Sequence, residues 1–339
     1  MRTDPILVVG AGAIGAIVGV HLIEAGYTVH FADANTAHVA AVKAAGIKLS
    51  GHRERYVKAP IMAPDEVDGT YPIILLAVKA PHTMAALPTV EKAIAPDGCV
   101  VSLQNGLEEY KIARVVGAER TIGAYLTFGG FYVEPGHVKH GGAGSFKIGE
   151  IDGSMSPRAK ELAGMLSALQ PVGITDNIFG YLWAKMALGS VYFGTAIIDK
   201  PVLDVYASEQ ARSVLETLCG EVVMVADAMG VRIESSDGFD PKSFRPGASD
   251  TAARQASWEA QRRYWGSHDN PVTGVWRDLA IHKRPTEVDF QIGPIIAIAK
   301  EKGIAVPHLE RLLGTVKAIE KGKQAQSFEA LLELVVKTQ

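Results

Sequence analysis

Ile6-Leu7-Val8-Val9-Gly10-Ala11-Gly12-Ala13-Ile14-Gly15 is a short apolar run that feeds directly into the pattern G-x-G-x-x-G. Such a run reads as a buried parallel strand, and the three glycines have separate tasks. Gly10 permits the tight turn, Gly12 lets a pyrophosphate approach the backbone, and Gly15 lets the next helix pack close to the strand. That helix would turn its free N–H groups and positive dipole end towards the phosphates. Gly10, Ala11, Gly12, Ala13, Ile14 and Gly15 are therefore the expected phosphate cradle. The context agrees: an apolar helical stretch follows (Ile17, Val18, Val20, Leu22, Ile23), then Gly26, then a second strand from Thr28 to Ala32. Asp33 ends that strand eighteen residues after Gly15, where a carboxylate can accept hydrogen bonds from an adenosine ribose. The reading is a dinucleotide-binding fold.

Composition bounds the rest. At 339 residues the chain fits two domains of about 150 residues better than one. It is 47% hydrophobic and 21% charged, with 34 Lys plus Arg against 37 Asp plus Glu. The net charge of −3 and the lack of a basic block argue against a nucleic-acid groove or a membrane surface. Cys99 and Cys219 lie in separate apolar segments and read as buried thiols, which suits a reducing compartment. The first strand begins within five residues of Met1, and no run approaches the roughly 18 apolar residues of a membrane span. A cytoplasmic location is expected.

Up to about residue 150 strands and helices alternate. Strands are expected at 5–9, 28–32, 72–78, 98–103 and 120–126, and helices at 13–25, 36–45, 80–95 and 106–114. This alternation predicts a mostly parallel sheet covered on both faces. Residues 130–150 read as antiparallel additions at the end of that sheet, followed by a helix at 156–169 and a strand at 172–175. From Asp176 the strand patterns vanish. Helical spacing appears at 178–195, 208–229, 252–265, 275–300, 308–320 and 326–337, so an all-helical second domain is expected. The boundary falls between 1–176 and 177–339. Residues 232–250 read as a long polar loop, with Trp258, Trp265 and Trp276 just beyond it. These residues form either helices that pack on each other or on a partner subunit, or a flap over a substrate.

A dinucleotide domain followed by a helical one points to hydride transfer, with the reacting carbon held between the domains. A ketone accepting hydride gathers charge on oxygen and needs a positioned acid. Lys185 is the first candidate, a lone cation in Tyr181-Leu182-Trp183-Ala184-Lys185-Met186-Ala187-Leu188. Burial moves a lysine towards the range useful for proton transfer, and a snorkelling surface lysine is the competing reading. Glu287, in Arg284-Pro285-Thr286-Glu287-Val288-Asp289-Phe290, is the second. Its bland alternative is a first-turn anion behind a Thr286 cap. Arg277 and Arg284 are either a carboxylate clamp or surface ion pairs. The ten histidines show no ligand spacing, and no metal is expected.

Five segments then occur in one order: the glycine loop, Val78-Lys79-Ala80, Gln104-Asn105-Gly106-Leu107, Trp183-x-Lys185, and Thr286-Glu287-Val288-Asp289. In this the chain resembles the ketopantoate reductases (2-dehydropantoate 2-reductases), as does Gly303-Ile304-Ala305-Val306-Pro307. The likeness spans nearly the whole sequence apart from about 230–272. It implies an α/β Rossmann-type dinucleotide-binding domain followed by an all-helical C-terminal domain like that of 6-phosphogluconate dehydrogenase. It also implies a nicotinamide-dependent reductase, and a homodimer is expected. By resemblance, Lys185 is the general acid and Glu287 contacts cofactor and substrate. Asn105 places nicotinamide and substrate, and Lys79 lies near the adenosine ribose.

Three positions depart from the pattern. Gly189 and Phe193 stand where the family usually has substrate-binding asparagines, and Gly274 where it has a serine. The substrate-facing set is thus Asn105, Lys185, Gly189, Phe193 and Gly274. A pocket without those hydrogen-bond partners should select a 2-oxo acid or ketone larger or more apolar than ketopantoate. The alternatives are an authentic 2-dehydropantoate 2-reductase, a 3-hydroxy acid dehydrogenase, and a non-catalytic dinucleotide sensor. NAD is expected over NADP: Ala34 occupies the place of an arginine that meets the 2′-phosphate in many relatives, and Asp33 would repel it. Lys79, Asn35 and Thr36 weigh the other way.

Overall fold

The computed structural model describes residues 4–51, 54–267 and 270–335, and the chain divides into two compact units, Met1–Ile178 and Phe179–Gln339. The first unit opens with β1 (Ile6–Val9), α1 (Ala13–Glu24), β2 (Val29–Ala32) and α2 (Thr36–Ala45). Three short strands follow, β3 (Ile47–Ser50), β4 (Arg55–Val57) and β5 (Ile61–Met62), then β6 (Tyr71–Leu76), α3 (Thr83–Ala93), β7 (Ile94–Ser102) and α4 (Glu109–Val116). β8 (Thr121–Leu126), β9 (Gly130–Glu134), β10 (His137–His140), β11 (Phe146–Glu150), α5 (Pro157–Leu166) and β12 (Gly173–Ile174) complete it.

Eight strands form one sheet in the order β12-β11-β8-β7-β6-β1-β2-β5. From β5 to β8 all neighbours are parallel; β11 runs antiparallel to β8 and parallel to β12. Side chains alternate between the faces. Ile6 and Val8 join Ile17, Val18 and Leu162 in one apolar layer, while Leu7 and Val9 join Leu87, Val90 and Ile112 in the other. A sheet buried on both faces explains why β1 reads as an unbroken apolar run.

Residues 130–150, expected at the end of this sheet, are instead divided between two sheets. Only β11 belongs to the eight-stranded one. β9 and β10 pair with each other and, through β10, with β3, giving a second sheet in the order β4-β3-β10-β9. This small sheet lies against α1, whose residues Gly15 to Val20 are all buried. A helix apolar on every side suits a position between two layers.

The second unit carries α6 (Ile178–Ala196, from its second residue), α7 (Val202–Ala207), α8 (Glu209–Ala228) and α9 (Thr251–Gly266). Then come α10 (Gly274–Arg277), a π-helical turn (Asp278–His282), α11 (Val288–Glu301), α12 (Pro307–Glu320) and α13 (Phe328–Leu332). α8 is the axle: it touches α7, α11, α12 and α13 and buries Val214, Leu215, Leu218, Cys219, Val222 and Val223. Its buried Glu221 accepts hydrogen bonds from the backbone N–H groups of His308 and Leu309, so one helix caps the next.

Residues 275–300 form two pieces rather than one helix. The π turn ends at Lys283, which adopts a left-handed conformation (φ 46°), and Arg284-Pro285 then prevents α-helical continuation. Residues 251–266 are a packing element rather than a flap. Trp258 donates to Glu216 on α8 (2.7 Å) and meets Tyr206 of α7 edge-on, while Trp265 meets Tyr192 of α6. Cys99 and Cys219 are both buried free thiols. No helix among the described residues is long and apolar enough to cross a membrane. The end of the expected helix at 326–337 lies outside the described residues.

Candidate active site

In the first unit the loops after β1, β2, β6 and β7 all leave the same edge of the parallel sheet. β1 sits between β2 and β6, where the strand order reverses, and ligands of such sheets bind there. Gly10 has φ 95°, and a Cβ on it would lie 2.7 Å from the Val78 nitrogen. A Cβ on Gly15 would lie 2.0 Å from the Gly10 carbonyl oxygen, which fixes how tightly α1 approaches the turn. Gly12, the N-cap of α1, is the opposite case: among the described residues nothing beyond its chain neighbours stands within 4 Å of where its Cβ would be. A tight turn, a close helix and an open cradle at the helix N-terminus fit a pyrophosphate.

Asp33 follows β2 as expected, and its carboxylate is held in place. Oδ2 accepts from the Ala11 N–H at 2.7 Å and Oδ1 from the Asn35 N–H at 2.8 Å. A carboxylate oxygen has a further lone pair, so both retain acceptor capacity. Lys79 is exposed just after β6. Asn105 is exposed just after β7, before Gly106 at φ 98°. Its neighbour Gln104 is buried and donates to the Val78 carbonyl (2.9 Å) and the Thr83 hydroxyl (2.7 Å). Gln104 thus pins the loop of Lys79 to the loop of Asn105.

In the second unit Lys185 is half-buried on α6, one turn before Gly189. Glu287 is the N-cap of α11 rather than a first-turn residue. Thr286 supports it: its hydroxyl accepts from the Val288 N–H (3.2 Å) and donates to Glu320 (2.7 Å), which also takes the Thr286 N–H (2.8 Å). Gln291, one turn along α11, donates from Nε2 to Glu287 Oε2 at 3.0 Å. Among the described residues, and outside the backbone of α6 itself, Gln291 Oε1 is the one atom within 4 Å of the place where a Gly189 side chain would begin, at 3.6 Å. A carboxylate only accepts, so the NH₂ faces Glu287 and the carbonyl oxygen faces Gly189.

The other two departures resolve differently. Phe193 is 1% exposed, in the core of the helical unit, so its ring does not line an open wall. Gly274 is exposed, and the Arg277 guanidinium stands 3.9 Å from where its Cβ would be. Arg284 is paired with Asp278 at 2.8 Å, the ion-pair alternative of the sequence reading. Long polar side chains thus stand beside both glycines, Gln291 by Gly189 and Arg277 by Gly274. Gln291 was missed by the sequence reading, although its four-residue spacing from Glu287 puts the two on one helix face.

Residues 6–153 match the family model described as ketopantoate reductase PanE/ApbA, and residues 177–320 match the model of its C-terminal part. A 2-dehydropantoate 2-reductase of Streptococcus pyogenes serotype M1 is 25% identical over 318 residues, covering 93% of this chain and 97% of that protein. Among solved structures, a ternary complex of D-mandelate dehydrogenase with NADH and anilino(oxo)acetate is similar with a TM-score of 0.81. It shares 25% identity and covers 95% of this chain and 99% of its own. A PanE/ApbA family ketopantoate reductase from Ralstonia eutropha JMP134 is similar with a TM-score of 0.78, at 27% identity, covering 94% and 99%.

Proposed function

Given that the chain belongs to the ketopantoate reductase family, we propose that it reduces a 2-oxo acid to the hydroxy acid with Lys185 as proton donor. The chain is a nicotinamide-dinucleotide-dependent oxidoreductase acting on CH–OH groups. The observation that carries the finer reading is the cluster on α6 and α11. Lys185 lies one turn from an open position at Gly189, which faces an amide already bonded to Glu287.

A nicotinamide dinucleotide held by the Gly10–Gly15 loop and Asp33 would supply the hydride for a carbonyl carbon. As charge gathers on the carbonyl oxygen, an ammonium at Lys185 Nζ gives it a proton. Glu287 is assigned to hold substrate and nicotinamide ribose, and its position at the head of α11 is stiffened by Thr286 and Glu320. Gly10 to Gly15 are assigned to the pyrophosphate, Asp33 and Lys79 to the adenosine ribose, and Asn105 to the nicotinamide and substrate. We assign residues 1–176 to the cofactor and 177–339 to substrate and dimer contacts, with a homodimer as the working assembly.

NADH is the preferred cofactor in this reading. Two like charges about 4 Å apart in an exposed groove repel by only ~1–4 kcal/mol, so Asp33 sets a preference rather than a veto. A 2-oxo acid is the substrate class, and 2-dehydropantoate itself is the second reading. Its support is the name of the curated relatives and the polar reach of Gln291 and Arg277.

The test is oxidation of NADH and NADPH by a panel of 2-oxo acids that includes 2-dehydropantoate and phenylglyoxylate. Turnover of a 2-oxo acid, faster with NADH, is expected. Efficient turnover of 2-dehydropantoate alone selects the second reading, and a strong NADPH preference overturns the role of Asp33. Oxidation of 3-hydroxy acids in the reverse assay moves the chain to another class. Tight nucleotide binding with no turnover makes it a sensor.

A further inference from the structure

The small sheet of the first unit was not expected from the sequence, and it brings an exposed tyrosine to the end of β2. β9 begins at Gly130, where a Cβ would lie 2.5 Å from Ile17 and 3.2 Å from Ala13, so the strand starts against the first turns of α1. Two residues on, Tyr132 is 43% exposed and packs its ring against the buried His38 imidazole, centroids 5.3 Å apart. His38 has no freedom of its own. Gly136 N–H donates to its Nδ1 at 3.0 Å, so Nε2 carries the proton and donates to the Ala11 carbonyl at 2.9 Å. One side chain thereby ties the β9–β10 hairpin to the glycine loop.

The Tyr132 phenol lies beside the Asn35 side chain and near the Asp33 carboxylate. Asn35 Oδ1 already accepts from the His38 N–H at 3.1 Å, which leaves its NH₂ as the donor on that corner. A phenol can donate its proton to a ligand oxygen while its own oxygen accepts. Partial burial, and after it the nearby Asp33 charge, push the pKa of Tyr132 up, so the phenol keeps that proton.

We propose that Tyr132 is a recognition residue for the adenosine half of the dinucleotide, its phenol donating to the ribose held by Asp33 and its ring walling that side of the nucleoside. The inference rests on the nucleotide-binding reading above and adds to it. Asp33 and Asn35 come from the strand–helix corner expected to hold a ribose; Tyr132 comes from a strand about a hundred residues later. An O–H donor beside a carboxylate suits a ribose that presents both acceptors and donors.

The experiment measures binding of NADH, 5′-AMP and nicotinamide mononucleotide to the full-length chain by calorimetry, for wild type, Tyr132→Ala, Tyr132→Phe and Phe131→Ala. Phe131 is exposed and its side chain points to the other face of β9. Tyr132→Ala should weaken NADH and 5′-AMP roughly tenfold, the scale of one hydrogen bond with its ring contact, and leave the mononucleotide unchanged. Tyr132→Phe should lose a few-fold, and Phe131→Ala nothing. Wild-type affinity for 5′-AMP in both Tyr132 variants overturns the proposal, as does an equal loss in Phe131→Ala. If Tyr132→Ala does not fold, Tyr132→Phe against 5′-AMP decides. Tyrosine-dependent AMP binding in a protein that reduces no 2-oxo acid would sink the reductase reading and leave this one standing. Turnover with Tyr132-independent binding would do the reverse.

Discussion

Lys185 is half-buried in a helix segment that carries no other charge from Tyr181 to Leu188. Assigned as the proton donor, it should matter to turnover and little to nucleotide affinity. Lys185→Ala is expected to lower kcat by roughly 10²–10⁴-fold while the NADH Kd stays near wild type, the pattern of a lost acid rather than a lost binding contact. Near-native kcat removes Lys185 from the mechanism. Gln291 makes a different prediction, because its amide has two ends. Gln291→Leu keeps the bulk, leaves Glu287 without its amide donor and removes the acceptor that faces Gly189. KM for a 2-oxo acid that carries a hydroxyl or N–H in its side chain should rise about tenfold, and KM for an all-carbon side chain far less. Equal effects on both substrates in steady-state assays would mean that the amide only supports Glu287.

At the scale of elements, the approach of α11 is set by its neighbour. Glu320, near the end of α12, is nearly buried and takes both the N–H and the hydroxyl of Thr286. Glu320→Ala leaves those donors without their partner at the entry to α11 and should destabilise the protein by about 1–3 kcal/mol, read from the denaturation midpoint. Unchanged stability would show that water replaces the carboxylate at no cost. The positions of β1, β2, α1 and α2 were legible because each is written locally: an apolar run, a glycine turn, a capping asparagine before α2. The small sheet was not. β9 and β10 look like strands in the sequence, but nothing in residues 130–140 says that their partner is β3. The break at 283–287 did have a signal, Pro285, which overlapping apolar spacing on either side concealed. Lys185 stands out in the sequence as a lone cation in an apolar helical segment, whereas Glu287, between Arg284 and Asp289, stands out through the resemblance of Thr286-Glu287-Val288-Asp289. The spacing of Gln291 from Glu287 was there to be read, but its approach to Gly189, like that of Tyr132 to His38, depends on packing between distant segments, which spacing does not encode.

For the whole molecule, the two compact units should respond unequally to nucleotide, since the glycine loop, Asp33, Lys79 and Asn105 all belong to the first. NADH at about 100 times its Kd should stabilise the state that binds it by ~2.7 kcal/mol. Hydrogen exchange followed by mass spectrometry is expected to show slowed opening in β1, β2, β6 and β7, with the slowing in β2 absent when nicotinamide mononucleotide replaces NADH. Protection confined to the helical unit would contradict the assignment of the cradle. The pairing of β3 with β10 also bears on how the chain comes off the ribosome. Lys48 lies opposite His137, so β3 and β4 wait for some ninety residues of further synthesis before their sheet can close. Through that interval α1 has one apolar side covered by the main sheet and the other bare. Closing so long a loop is slow, and a bare apolar helix invites wrong partners while it lasts. A nascent chain halted before Gly130 should therefore be held by chaperones, and one released after Glu150 should let them go.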